Sequence, residues 1–492
     1  MVSRRRLIEL GGLAAGGALL VSSSGTATSA APSTHHDHVI PGHRHDLPFV
    51  GSAVAATPFS VEMPLPSTIA PTKSDSDTDY YYLHMRRTTA EIIPGLTTPV
   101  LGFNGSFIGP TIRARTGRTA VVVQTNMLDE PTAVHLHGAH APAASDGHPM
   151  DLIQPGSQKT YIYPNRQRGA TLWYHDHAHH MEAEHVYRGL AGLYLLEDPA
   201  EAQLGLPNGQ FDVPIMLRDA QFAADGSMIW TLGDFQNRNT VLVNGRPQPY
   251  LRVAARKYRL RLVNASNLRA YQLRLGNGEE VVQIASDGGL LPAPYRTDTI
   301  PLWPGERVEV VVDFSKFPIG TQLVLENTYG DQDSNRSLMR FDVTWSATDD
   351  STVPAQLAPA PELPPATYYR TISLGLNPAT FQFQIDGKSF DPNRVDAYVR
   401  RGATEIWQVT NLDTAFGIPH DFHIHLVQFK VLDRNGAPPG PGESGWKDTV
   451  VVNPGETVRL QATFADYKGR FVYHCHLIDH SSEGMMAQME VL

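Results

Sequence analysis

Three stretches of this chain carry the same marks in the same order, and that restricts the fold more than any other feature. Asn104-Gly105 is followed by Gly109-Pro110-Thr111-Ile112, Val121-Val122-Val123 and Asn126. Asn244-Gly245 is followed by Pro249-Tyr250-Leu251, Tyr258-Arg259-Leu260-Arg261-Leu262 and Asn264. Asp386-Gly387 is followed by Pro392, Glu405-Ile406-Trp407-Gln408-Val409 and Asn411. Each copy reads as a tight Asx-Gly turn between strands. Pro155-Gly156-Ser157, Pro304-Gly305-Glu306 and Pro454-Gly455-Glu456 recur behind them, each before an alternating strand such as Arg307–Val312. Such dipeptides are common singly; three ordered marks in three copies are not chance. A chain of 492 residues also exceeds what one core serves. Its 37 prolines and 41 glycines break up short strand-like runs, and long helical periodicity is scarce. The expectation is an all-β protein of three related domains, at 61–200, 201–346 and 367–492. The Pro-, Ala-, Ser- and Thr-rich stretch 347–366 reads as the linker before the third.

The first residues read as targeting rather than fold. Ser3-Arg4-Arg5-Arg6-Leu7-Ile8 resembles a twin-arginine export signal, with an apolar run from Leu10 to Val21 and small residues at Ala27–Ala31. That run is too short to span a bilayer comfortably, so a cleaved signal over 1–31 is expected in place of a stable membrane anchor. The partner during targeting would be the twin-arginine export machinery, and the mature chain would work outside the cytoplasm, extracellularly or in the cell envelope or periplasm. His35, His36, His38, His43 and His45 follow in a polar segment, 32–60, read as a solvated tail. A formal net charge of −10 argues against nucleic acid as a partner.

The chemistry lies in the histidines and the single cysteine. His135-Leu136-His137-Gly138, His175-Asp176-His177, His420-Asp421-Phe422-His423-Ile424-His425 and His474-Cys475-His476 with His480 form four clusters. The middle copy has Leu323–Thr328 at the corresponding place and no histidine, which makes it read as a spacer. Residues i and i+2 of a strand share a face, with Cα atoms about 6.5–7 Å apart, so paired imidazoles can serve neighbouring metals. In His474-Cys475-His476 the thiolate then points the opposite way from its neighbours. One cysteine cannot form an internal disulfide, so its value lies in its thiolate. A thiolate with two imidazoles and a distant thioether is a blue-copper ligand set; Cys475, His480, Met485 and an upstream histidine, His420, supply it. Imidazoles alone could hold zinc; the cysteine and methionine favour copper.

These motifs, in this order and with a blank middle copy, resemble a three-domain multicopper oxidase over essentially the whole mature chain. Tyr163-Pro164-Asn165-Arg166-Gln167, Trp173–Ala178 and Tyr187–Gly192 look closest to the bilirubin oxidase and spore-coat laccase branch. The resemblance implies three cupredoxin-like Greek-key β-sandwich domains and four coppers per chain. It places the type 1 copper on His420, Cys475 and His480 with Met485 axial, and the type 2 copper on His135 and His423. The type 3 pair would take His137, His175 and His476 on one side and His177, His425 and His474 on the other. The implied reaction is one-electron oxidation of a small aromatic reductant, phenolic or aromatic amine, coupled to four-electron reduction of dioxygen to water. Electrons would enter at an exposed edge of His480 and pass through Cys475. Asp146, eleven residues after His135, matches the family's acidic residue near the type 2 copper and is the expected proton relay.

Two positions depart from that branch, which has a tryptophan where this chain has Ile418 and a glutamate where it has Ser481. The first puts bilirubin in doubt as the substrate. The second removes a proton donor, for which Asp479 or Glu483 are the sequence neighbours. Trp446 reads either as substrate wall or as core. Cuprous-ion oxidation is disfavoured because the 12 methionines form no run. A non-enzymatic role would go with lost cluster histidines, and none is lost.

Overall fold

The Asx-Gly dipeptides turn the chain because both residues adopt left-handed backbone. In a computed structural model, which describes residues 51–330 and 336–492, φ is 53° and 84° at Asn104 and Gly105 and 48° and 83° at Asn244 and Gly245. It is 52° and 69° at Asp386 and Gly387. Positive φ at both central residues matches the right-handed twist of the flanking strands. The asparagine that ends each motif has one job in all three copies. The Nδ2 groups of Asn126, Asn264 and Asn411 each donate to two carbonyl oxygens, at 2.8–3.0 Å. Their main-chain oxygens accept from Gly156, Gly305 and Gly455, which lie in the Pro-Gly turns. The recurring marks are therefore the two ends of one buried clamp, built three times.

Each copy forms two facing sheets. In the first, one sheet runs Thr68–Ile69, Gly109–Arg115, Ala191–Glu197, Ala170–Asp176, Val134–His137 in spatial order. Its companion runs Lys73–Ser74, Thr78–Ala90, Thr119–Asn126, Gln158–Tyr163, with Thr98–Phe103 beside the second. A seven-stranded and a five-stranded sheet make the second copy, and two five-stranded sheets the third. The non-sequential strand order is that of Greek-key sandwiches. Leu83, Phe103 and Tyr161 lie in the first core, Ile215, Leu262 and Phe341 in the second, and Val409, Phe422 and Phe471 in the third. A further apolar cluster with Trp173, Val186, Met216 and Ile478 joins elements of all three copies.

Helices are few and sit at the site. α1 (Glu182–Arg188) follows the strand that ends in His175-Asp176, and α2 (Ile478–Ser482) follows the strand that ends at Cys475. No helix among the described residues is long and apolar enough to cross a membrane. The export signal and His35, His36, His38, His43 and His45 lie outside the described residues.

Candidate metal centre

Strand pairing brings the four histidine clusters to one place. Val134–His137 runs antiparallel to Ala170–Asp176 with His135 opposite His175. His420–Ile424 runs antiparallel to Gly469–Cys475 with His423 opposite His474. Ligand atoms gather in three buried sets made of histidine alone, each within 4.8 Å: His135, His137 and His423; His137, His175 and His476; His177, His425 and His474. The His135 ring stacks on His425 at 3.6 Å and His137 on His423 at 3.8 Å. His137 Nδ1 lies 3.0 Å from His476 Nε2, and His177 Nε2 lies 3.2 Å from His474 Nε2.

Cys475 faces the other way, as the period of two requires. Its Sγ lies 3.7 Å from His420 Nδ1 and 3.6 Å from His480 Nδ1. Met485 is buried beside them: its main-chain oxygen accepts from Cys475 N at 3.1 Å, and its N donates to the His480 oxygen at 2.9 Å. Met486 and Met489 are buried strand residues, and Met489 belongs to the third core.

Burial holds the eight imidazoles of the all-histidine cluster neutral. It pushes His175 and His474 down to about 4 and His423 to about 3. His135, His137, His177, His425 and His476 are also pushed far down, by burial and by their neighbouring rings. A neutral imidazole keeps a lone pair, and its second nitrogen decides which one. His135 Nδ1 bonds the Asp146 oxygen at 2.6 Å, His175 Nδ1 the Asp176 oxygen at 2.8 Å and His423 Nδ1 the Asp448 oxygen at 2.8 Å. That leaves three Nε2 atoms buried without a hydrogen-bond partner among the described residues. Orphaned buried acceptors each cost about 1–3 kcal/mol unless something binds them. A metal ion is the ligand such lone pairs fit. Burial likewise pushes the Cys475 thiol far up, so a thiolate there needs a bound cation.

Carboxylates aim the ligands. Asp413 Oδ2 bonds His420 Nε2 at 2.6 Å, which turns Nδ1 toward the sulfur. Asp146 Oδ2 bonds His425 Nδ1 at 2.8 Å, and its main-chain oxygen holds His135. Asp448 Oδ1 lies 2.8 Å from His137 Nε2, and Arg307 grips Asp448 at 2.6 and 2.5 Å. Arg307, Asp287 and Glu306 come from the middle copy; Lys447 bonds both acids, at 2.9 and 3.1 Å. Gly305, with φ of 83°, lies against His476, and a Cβ there would meet Nδ1 at 2.7 Å. The middle copy is thus more than a spacer: among the described residues it carries no candidate ligand but braces those of its neighbours. Sequence reading gave no role to Asp448, although the stretch Trp446-Lys447-Asp448 resembles the family's near the type 1 pocket, and it missed Asp413 and Arg307. Their only signals were position: Asp413 two residues past the Asn411 mark, Arg307 directly after Pro304-Gly305-Glu306.

Several expectations change. His480 has no exposed edge; it is fully buried, with the Phe383 ring stacked on it at 3.7 Å. Strand Phe383–Ile385 comes from far upstream in sequence, so no local pattern announces it. Asp479 is a buried partner of Arg238 Nη2 at 2.8 Å and also accepts from Gly233 N and Asn267 Nδ2, which makes it a brace rather than a proton donor. Glu483 is exposed. Trp446 packs beneath Arg168 and against Gly288, beside the middle copy. Ile418 is buried in the third core. His180 bonds the Ser482 oxygen, and His185 bridges Asp176 and Glu130.

Greek-key β-sandwiches bearing a buried His420-Cys475-His480 set, joined through one strand to eight imidazoles, define a copper-binding oxidoreductase of the cupredoxin class. Family models described as multicopper oxidase match residues 84–201, 173–337 and 361–492. A laccase of Bacillus subtilis is 34% identical over 88% of this chain and 98% of its own. A bilirubin oxidase of Albifimbria verrucaria is 37% identical over 87% of this chain and 80% of its own. The crystal structure of a laccase from Pediococcus acidilactici superposes with a TM-score of 0.82 at 33% identity, covering 90% of this chain and 95% of that one. The chain belongs to the multicopper oxidase family, copper oxidoreductases that use dioxygen.

Proposed function

We propose that this protein is an exported oxidase of phenolic or aromatic-amine donors that reduces dioxygen to water, with four coppers per chain. One observation carries the reading: Cys475 Sγ stands 3.6–3.7 Å from His420 and His480, while its neighbour His474 reaches His177 and His425 at 3.2 and 3.3 Å. Two donor sets are thereby joined by a few covalent bonds. His420, Cys475, His480 and Met485 would hold the type 1 copper. His135 and His423 would hold type 2; His137, His175 and His476, and His177, His425 and His474, would hold the type 3 pair. Copper bound at these sites supplies one-electron redox chemistry and the reduction of dioxygen. The chain's part is to conduct, orient and exclude water. The Phe383 ring closes His480 to solvent, so a donor's electron crosses that layer and then follows Cys475 to His474 and His476. Asp146 is the proton-handling acid we assign, since its carboxylate lies 2.8 Å from His425 and 3.9 Å from His135. We assign three cupredoxin domains at 61–200, 201–346 and 367–492, after a signal at 1–31, a polar segment at 32–60 and a linker at 347–366.

Copper analysis and an absorption spectrum of the purified mature chain test the assignment. About four coppers and an intense blue thiolate band are expected; fewer coppers or no band would sink it. Cys475→Ser should lose both the band and donor oxidation. Oxygen uptake with a phenol, bilirubin and cuprous ion separates substrate classes, and uptake with cuprous ion alone would overturn the aromatic donor.

A further inference from the structure

One buried carboxyl has no part in the arrangement above. Glu182 opens α1 five residues past His177 and is 1% exposed. Its Oε1 lies 3.4 Å from Ser481 Oγ, and its Oε2 is buried with no hydrogen-bond partner among the described residues. Asn267 Nδ2 donates both to Ala183 O, on α1, and to Asp479 Oδ1, on α2, at 2.8 and 2.9 Å. The Glu182 carboxyl is therefore clamped between the turn leading from His177 and the helix that carries His480. An apolar side chain of similar size would fill that space at lower cost, because an unpartnered polar group in a dry interior is destabilising.

The surroundings favour a proton on Glu182. Burial pushes it up to about 8; the Asp176 carboxylate adds to the rise and His185 opposes it. The charged groups acting on it are Asp176 from the strand Ala170–Asp176 and His185 from its own helix, while Asp479 of α2 is paired with Arg238. His185 is the titratable group between Glu182 and solvent. His185 stands three residues on, on the same face of α1. Its Nε2 lies 3.2 Å from Glu130 Oε2, whose side chain is 46% exposed, and its Nδ1 lies 3.1 Å from Asp176 Oδ2.

We propose that Glu182 is a proton donor for dioxygen reduction, acting through the Ser481 hydroxyl and reloaded from solvent by way of His185 and Glu130. This rests on the oxygen-reducing reading above. Each dioxygen converted to two waters takes four electrons from donor molecules and four protons. Ser481 Oγ donates to the Ile478 oxygen at 2.9 Å; in the step, the Glu182 O–H bond breaks, its proton passes to Ser481 Oγ, and that hydroxyl turns from Ile478 and releases its own proton toward the oxygen being reduced. The carboxylate left behind takes a proton from His185, which regains one from solvent at Glu130. Glu182 is a proton-loading residue that works through Ser481. The sequence position that lacks a carboxyl, Ser481, is the one Glu182 touches from another element.

The test compares the copper-loaded wild type, Glu182→Gln and the double variant Glu182→Gln/Ser481→Glu. Glu182→Gln should keep the copper content and the blue band and melt at a higher temperature. It should lose about 10–100-fold in oxygen uptake, the scale of a positioned acid, and lose the fall in rate near pH 8. The double variant, which returns a carboxyl to the same space, should recover most of the rate. Infrared spectra of the wild type should show a protonated carboxylic acid at pH 7 that titrates near pH 8 and is absent in Glu182→Gln. Wild-type uptake by Glu182→Gln overturns the proposal. So does a loss that keeps the wild-type pH profile and is not rescued, which is a packing defect. An ionised Glu182 at pH 7 overturns it independently of turnover. A wild type that takes up no oxygen with any donor would instead refute the oxidase reading, and the infrared titration would still decide whether Glu182 is a loaded acid.

Discussion

At the scale of residues, the site depends on which nitrogen of each ring is free. Cys475 supplies one donor whose direction follows from strand alternation, but His420 could present either nitrogen. Asp413, 2.6 Å from His420 Nε2, selects Nδ1 for the sulfur side. Carboxylates of this kind typically carry 10–100-fold in metal affinity or activity. Asp413→Ala should therefore weaken copper binding beside Cys475 by about 10–100-fold and fade the blue band, while copper in the imidazole cluster stays. Copper titration followed by absorption checks it; a band of wild-type strength at limiting copper would show that Asp413 does not aim the ring. The ligand residues were legible because clustered histidines around a lone cysteine are rare and their spacing is geometric. Asp413 was not legible, since a single aspartate after a turn has no periodicity to mark it.

At the scale of elements, α1 is held by one buried histidine. Burial alone would push His185 down, but the carboxylates of Asp176 and Glu130 reverse that and raise it to about 9. A folded value above the unfolded one near 6.5 means that protonated His185 stabilises the fold. That contribution is complete below about pH 6.5 and is lost as pH rises through about 9. His185→Gln should cost roughly 2–3 kcal/mol at pH 6 and much less at pH 10, by the same linkage. Thermal melts of wild type and variant across that range read the difference, and a gap independent of pH would refute the charge argument. The strands and the clamp turns around α1 could be read in advance, because Asx-Gly and Pro-Gly chemistry is local. The helix itself spans seven residues, too short for an apolar period to stand out.

At the scale of the whole molecule, the middle copy braces a site to which its described residues give no candidate ligand. Arg307 is fully buried and bonds Asp448 at 2.5 and 2.6 Å, and Asp448 holds His137 and His423. Removing one partner of such a buried pair leaves an uncompensated charge, at a cost of about 3–5 kcal/mol. Arg307→Met should lower stability by about that amount and deplete copper from the imidazole cluster, with the blue band beside Cys475 retained. Calorimetry and copper analysis test both parts. Loss of the blue band with cluster copper intact would place the brace elsewhere.

The sequence by itself determined the threefold β architecture, the four histidine clusters and the opposed faces of His474-Cys475-His476. Those properties follow from turn chemistry and the period of two, which act over a few residues. Tertiary structure alone decided which imidazoles meet, that Phe383 covers His480, that Arg307 reaches Asp448 141 residues away, and that Glu182 lies against Ser481 299 residues on. Each of those contacts joins residues distant in the chain, so it comes from how whole sheets pack and has no local pattern to announce it.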